Sequence, residues 1–87
     1  MRGMFQECNE LEYLDLSNFN TSNVIDMGYM FNECNKLKEI KLPQSFITNK
    51  VKNMEGMFKN CNKLEKLDFK KFELNKFTNV DYIFEGC

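Results

Sequence analysis

The most reactive side chains of this 87-residue chain are four cysteines, at positions 8, 34, 61 and 87, with spacings of 26, 27 and 26. Such a set suggests zinc, disulfides or thiol redox chemistry. Zinc requires its sulfurs around one ion at about 2.3 Å each. One cysteine per interval instead makes a line when the intervals stack, about 14 Å from end to end at strand spacing. The sequence has no Cys-x-x-Cys pair and no His. Disulfides between successive turns meet the roughly 5 Å Cα separation but not the Cβ approach of about 3.5–4.5 Å, since equivalent side chains point in parallel. They stay open as an alternative. The geometry favours a ladder of buried free thiols behaving as small hydrophobes.

Other chemistry is poorly supplied. Asp plus Glu is 13 and Lys plus Arg is 12, a net charge of −1, with carboxylates spread along the chain rather than gathered. Lacking His, the chain lacks the commonest general base and metal ligand, and nothing activates a Ser or Cys nucleophile. Gly3, Gly28, Gly56 and Gly86 are isolated, so no glycine-rich loop cradles a phosphate. Near-neutral charge argues against a nucleic-acid partner and against a polybasic membrane-surface segment. No apolar run approaches the roughly 18 residues of a membrane helix, and Glu7 and Asn9 interrupt any signal-peptide core at the start. The expectation is a non-enzymatic chain with no cofactor and no metal. A redox role for the thiols is the one chemistry left open.

The elements that carry these residues are read from an internal repeat. Met4-Phe5-Gln6-Glu7-Cys8-Asn9-Glu10-Leu11 returns as Met30-Phe31-Asn32-Glu33-Cys34-Asn35-Lys36-Leu37 and as Met57-Phe58-Lys59-Asn60-Cys61-Asn62-Lys63-Leu64. A truncated copy, Ile83-Phe84-Glu85-Gly86-Cys87, follows. The extra residue of the middle interval falls in a loop beside Pro43, where it costs little. The units are 1–26, 27–53 and 54–79, with a partial fourth at 80–87, so the chain reads as a fragment that begins and ends mid-unit.

Within each unit the hydrophobic period changes. Leu11-x-x-Leu14-x-Leu16, Leu37-x-x-Ile40-x-Leu42 and Leu64-x-x-Leu67-x-Phe69 end in the alternation of a short half-buried strand. Val24, Met27, Met30 and Phe31 take the spacing of a helical face, repeated by Val51, Met54, Met57 and Phe58 and by Phe77, Val80, Ile83 and Phe84. Thr21-Ser22-Asn23 and Thr48-Asn49 then read as helix caps. The Met residues are core packing, and Phe19, Phe46 and Phe72 plug the core from the loops. Asn9, Asn35 and Asn62 read as turn residues, possible partners of the local backbone.

A unit of this size must stack on its neighbours. Strands about 4.8 Å apart on one side and helices about 8–10 Å apart on the other would bend the stack. The predicted fold is an α/β repeat: a curved leucine-rich-repeat-like solenoid of strand-loop-helix units with a parallel sheet on the concave side. In that register the outward columns are Glu12/Lys38/Glu65, Tyr13/Glu39/Lys66 and Asp15/Lys41/Asp68. Opposite charges face one another in nearly every neighbouring pair, each worth about 0.2–1 kcal/mol.

Met27-x-x-Met30-Phe31-x-x-Cys34-x-x-Leu37, together with Leu14-Asp15-Leu16-Ser17-x-Phe19-Asn20-Thr21-Ser22-x-Val24, resembles the 26-residue repeat of the BspA-like leucine-rich-repeat surface proteins, also seen in mycoplasma-type lipoproteins. The resemblance covers essentially the whole chain. It implies a leucine-rich-repeat-like fold displayed outside the cell, often in long arrays, with adhesion or host-protein binding as the usual role.

The expected function is therefore a non-enzymatic binding or structural module of a cell-surface protein. Its partners would be a protein or glycan ligand and the neighbouring repeats of a longer array. The candidate partner-binding face is Tyr13, Asp15, Glu39, Lys41, Lys66 and Asp68, with Tyr13 as the anchor because exposed aromatics are enriched at interfaces. An intracellular scaffold of the same fold, or a non-secreted partial gene product, is the alternative. With open ends and no polar caps, the chain alone is expected to be marginally stable or self-associating.

Overall fold

Leu14 and Ile40 point inward between outward Tyr13, Asp15 and Lys41, and this alternation makes the strands β1 (Tyr13–Asp15) and β2 (Glu39–Lys41). The computed structural model describes residues 1–74 and 78–87. The strands pair in parallel, with Tyr13 opposite Glu39, Leu14 opposite Ile40 and Asp15 opposite Lys41. An isolated parallel bridge from Glu39 to Lys66 carries the pairing to a third level. Across the molecule, Asp26, Asn53 and Asn79 form a second line of parallel bridges. Segments one repeat apart in sequence thus lie side by side.

The curved solenoid of strand-loop-helix units is overturned. Among the described residues there is no α-helix; the only regular elements are β1, β2 and one 3-10 turn, Phe69–Lys71. The chain folds as a small compact domain of stacked turns, with extents of 30 × 27 × 20 Å. Residues read as helical faces do enter the core: Met27, Met30, Phe31, Val51, Met54, Met57 and Phe58 are all buried. Their backbone is different. Phe77 lies outside the described residues, and Val80 and Phe84 remain substantially exposed.

The reason lies in where the amides go. An α-helix bonds every N–H within itself. Here alternate amides leave the segment: Tyr29 N–H donates to Glu55 O (2.8 Å), Phe31 N–H to Met57 O (2.9 Å) and Glu33 N–H to Lys59 O (2.8 Å). The intervening amides close tight turns, Met30 N–H to Met27 O (3.3 Å) and Asn32 N–H to Tyr29 O (3.2 Å). Tyr29 and Glu33 sit at φ 55 and 64, in the left-handed region that breaks a right-handed helix. Each such non-glycine residue costs about 1–2 kcal/mol, offset by the cross-segment bonds it permits. A turn bonded this way stacks at strand spacing, whereas a helix is about 10 Å wide. The predicted curvature lost its cause with the helices.

Side chains stitch the same levels. Thr21 Oγ1 donates to Ile47 O (2.8 Å) and accepts from Ile47 N–H (3.1 Å); Thr48 repeats this with Glu73 (3.1 and 2.9 Å). These threonines are buried staples rather than helix caps. Phe5, Phe31, Phe58 and Phe84 stack ring on ring, with centroids 5.6, 5.4 and 5.5 Å apart. Each such pair adds about 0.5–1.5 kcal/mol to its burial. Phe72 plugs the core from its loop, edge-on to Phe46 (4.9 Å) and Phe58 (5.9 Å).

The third strand strip is interrupted. Asp68 accepts a bond from Lys70 N–H (3.2 Å) and caps the 3-10 turn that follows. Phe69 is consequently 37% exposed, where its counterparts Leu16 and Leu42 are buried.

Candidate functional site

The outward side chains of β1 and β2 and of the Lys66 bridge share one face, because parallel pairing in register puts every second residue on the same side. An open groove of about 600 Å³ crosses it. Glu39, Lys41, Lys66 and Asp68 line this groove, together with Ser17, Gln44 and Lys71. Four residues of the expected face are thereby gathered. Tyr13 and Asp15 stand on the outermost strand, beyond the groove lining; Tyr13 is 50% exposed.

The sequence reading missed Ser17, Gln44 and Lys71. Gln44 and Ser17 follow the ends of their strips, and only loop closure brings them in. Lys71 folds over the groove because the 3-10 turn redirects the chain, and its Nζ donates to Pro43 O (3.3 Å).

Electrostatics leave most of these charges free. Of the charge columns, Lys38–Glu12 closes as an ion pair at 3.9 Å. Among the described residues, Glu39, Lys41 and Lys66 form no ion pair within 4.0 Å. Exposed pairs of this sort contribute about 0–1 kcal/mol, so their absence costs little stability and leaves the groups open to a ligand. Asp15 differs: the Ser17 hydroxyl and backbone amide donate to it and hold its carboxyl below the usual carboxylate range.

The thiols line up on the opposite, turn side. Cys34 Sγ donates to Phe5 O (3.1 Å), Cys61 Sγ to Phe31 O (2.9 Å) and Cys87 Sγ to Phe58 O (3.0 Å). All four cysteines are free thiols. Burial pushes Cys34 up to about 11 and Cys61 up to about 12. Since the thiolate is the nucleophile, these two are poor reactants near neutral pH. Their directed S–H bonds to the preceding level were not foreseen, and the recurring Phe-x-x-Cys spacing was the available signal.

A side-chain ladder runs along the second line of bridges. Asp26, Asn53 and Asn79 each accept from the backbone N–H two residues on, and Asn53 Nδ2 donates to Asp26 Oδ1 (3.0 Å). Of the asparagines that follow the cysteines, Asn35 reaches turn backbone once its amide is turned to suit its neighbours, the nitrogen then donating to Glu33 O (3.1 Å) and Asn60 O (3.3 Å).

Among the described residues, no group of His, Cys, Asp and Glu is arranged to hold a metal ion. No helix there is long and apolar enough to cross a membrane. Comparison with curated proteins and with solved structures gives no match. One family model, described as "Mycoplasma protein of unknown function, DUF285", matches residues 1–87. The stacked repeats are those of a Mycoplasma-type repeat family found in BspA-like surface proteins, and the chain belongs to it.

Proposed function

We propose that this chain is a non-enzymatic binding module of a surface-displayed protein, engaging a protein or glycan ligand through its strand face. The observation that carries the reading is the groove of about 600 Å³ where Glu39, Lys41, Lys66 and Asp68 converge. Groups of both signs there fit a polar ligand bearing donors and acceptors, and exposed Tyr13 adds an aromatic anchor beside it. The buried thiols serve stacking in this reading, and the bonded, ring-stacked turn side supports the face. Family membership supports an extracellular location.

The test presents the chain to an array of glycans and purified extracellular proteins. A ligand of the groove is expected to lose about tenfold or more in affinity, about 1.4 kcal/mol, when Lys41→Glu and Lys66→Glu are combined. Lys36→Glu, outside the groove lining, should leave that binding unchanged. If every ligand found bound both variants alike, the groove would not be the site.

A further inference from the structure

Beside the groove the sheet opens. Between the first two levels, Leu16 N–H donates to Lys41 O (2.8 Å). The equivalent bond between the second and third levels would run from Leu42 N–H to Asp68 O. It is not made, because Asp68 O accepts from Lys71 N–H (3.2 Å) in the 3-10 turn. Phe69 N–H turns back on Leu67 O (3.0 Å) at the same place. Pairing of these two levels therefore stops at the Glu39–Lys66 bridge, where Lys66 N–H donates to Lys38 O (3.0 Å) and Ile40 N–H to Lys66 O (3.1 Å).

Two backbone groups of the second level are left facing this opening. Ile40 N–H points toward the third level, so the Ile40 carbonyl and the N–H of Leu42, two residues on, point the same way. Neither Ile40 O nor Leu42 N–H has a backbone partner among the described residues. Both residues are buried, at 4% and 8% exposure, and buried backbone groups are nearly always paired. Both also line the groove, together with Leu67 and Asp68 on the departing strip. At about 600 Å³ the groove falls within the roughly 300–1,000 Å³ of ligand sites.

We infer that the groove takes an extended peptide segment of a partner protein, laid parallel to β2 in the register that Asp68 leaves; this rests on the strand face being the binding face. One peptide residue, opposite Lys41, donates its N–H to Ile40 O and accepts from Leu42 N–H. An extended residue carries both groups on one side, so it satisfies the pair at once. Its side chain points outward beside Lys41. Lys41 and Lys71 form no ion pair within 4.0 Å among the described residues, whereas Asp68 is held by Lys70 N–H and Glu39 lies opposite Lys66. Charge therefore selects an acidic residue at this position. Lys71, whose Nζ rests on Pro43 O (3.3 Å), swings across to that carboxylate. The residues on either side of it point inward and meet Leu42 and Leu67, so the segment read is apolar, acidic, apolar.

Four synthetic peptides test this, acetyl-Thr-Val-Xaa-Val-Thr-amide with Glu, N-methyl-Glu, Gln or Lys at the centre, titrated into the isotope-labelled 87-residue chain. The Glu peptide is expected to move the Leu42 amide proton downfield and slow its exchange, saturating near about 1 mM. N-methylation removes the donor to Ile40 O and should weaken binding at least about tenfold. The Gln and Lys peptides should bind progressively less well. Lys41→Glu, at an exposed position, should reverse the order, so that the Lys peptide binds more tightly than the Glu peptide. A Leu42 amide that no peptide moves, or equal affinity for the Glu and N-methyl-Glu peptides, would overturn the inference. If a ligand from the array still loses affinity when Lys41→Glu and Lys66→Glu are combined, only the strand pairing fails; if that ligand is indifferent too, the groove reading fails with it.

Discussion

On the turn side, phenylalanine rings stack through every level and alternate amides bond from each level to the next. On the strand side, the regular pairing is three residues long, between β1 and β2, and a single bridge reaches the third level. Both sides repeat with the same spacing and both bury an apolar row, but the strand side also displays a charged one. Met27, Met30, Phe31, Met54, Met57 and Phe58 are at most 2% exposed, whereas Tyr13, Lys41, Lys66 and Asp68 face solvent. The difference is one of labour: the turn side holds the levels together, which frees the strand side to vary its surface charges at little cost in stability.

The largest expected effect is therefore on the turn side. Phe58→Ala removes the ring stacked between Phe31 and Phe84 and touching Phe72, and should cost about 3–5 kcal/mol. Ile40→Ala, a matching truncation at the buried centre of the strand side, should cost less, about 2 kcal/mol at the lower end of its range. Urea unfolding of both variants measures the contrast. Equal losses would show that the strand side carries as much of the fold as the turns do.

A smaller effect concerns pH. In the unfolded chain, Cys34 and Cys61 ionise near 9.0; in the folded chain burial holds their protons to about 11 and about 12. Up to the unfolded value both states are protonated, so the contribution is fully present. Above it the unfolded chain binds fewer protons, and stability falls as pH rises toward the folded values. The melting temperature should drop between pH 8 and 11, and Cys34→Ser with Cys61→Ser should flatten that slope. An unchanged slope would mean that these thiols ionise as freely folded as unfolded.

Repeat spacing, strand register and core membership were legible in the residues. The Leu14/Ile40 strips stood out because burial on one face imposes alternation, and the Met and Phe positions because they recur every 26 or 27 residues. The backbone of residues 27–37 was not legible, since apolar residues three and four apart fit a helix and also a run of tight turns. What separates the two is the left-handed conformation at Tyr29 and Glu33. Neither residue type announces it, although glycine at 3, 56 and 86 in equivalent places was a partial sign. The groove was half legible: Glu39, Lys41, Lys66 and Asp68 follow from strand alternation, but Lys71 arrives through a 3-10 turn that replaces the expected end of a strand.

Nuclear Overhauser contacts of the Phe31 amide proton test the stacked-turn fold most directly. Its bond to Met57 O at 2.9 Å predicts contacts to the backbone protons around Met57 and Phe58, with matching contacts from Tyr29 and Glu33. An unbroken series of helical contacts through residues 27–37, with none reaching 55–59, would contradict it.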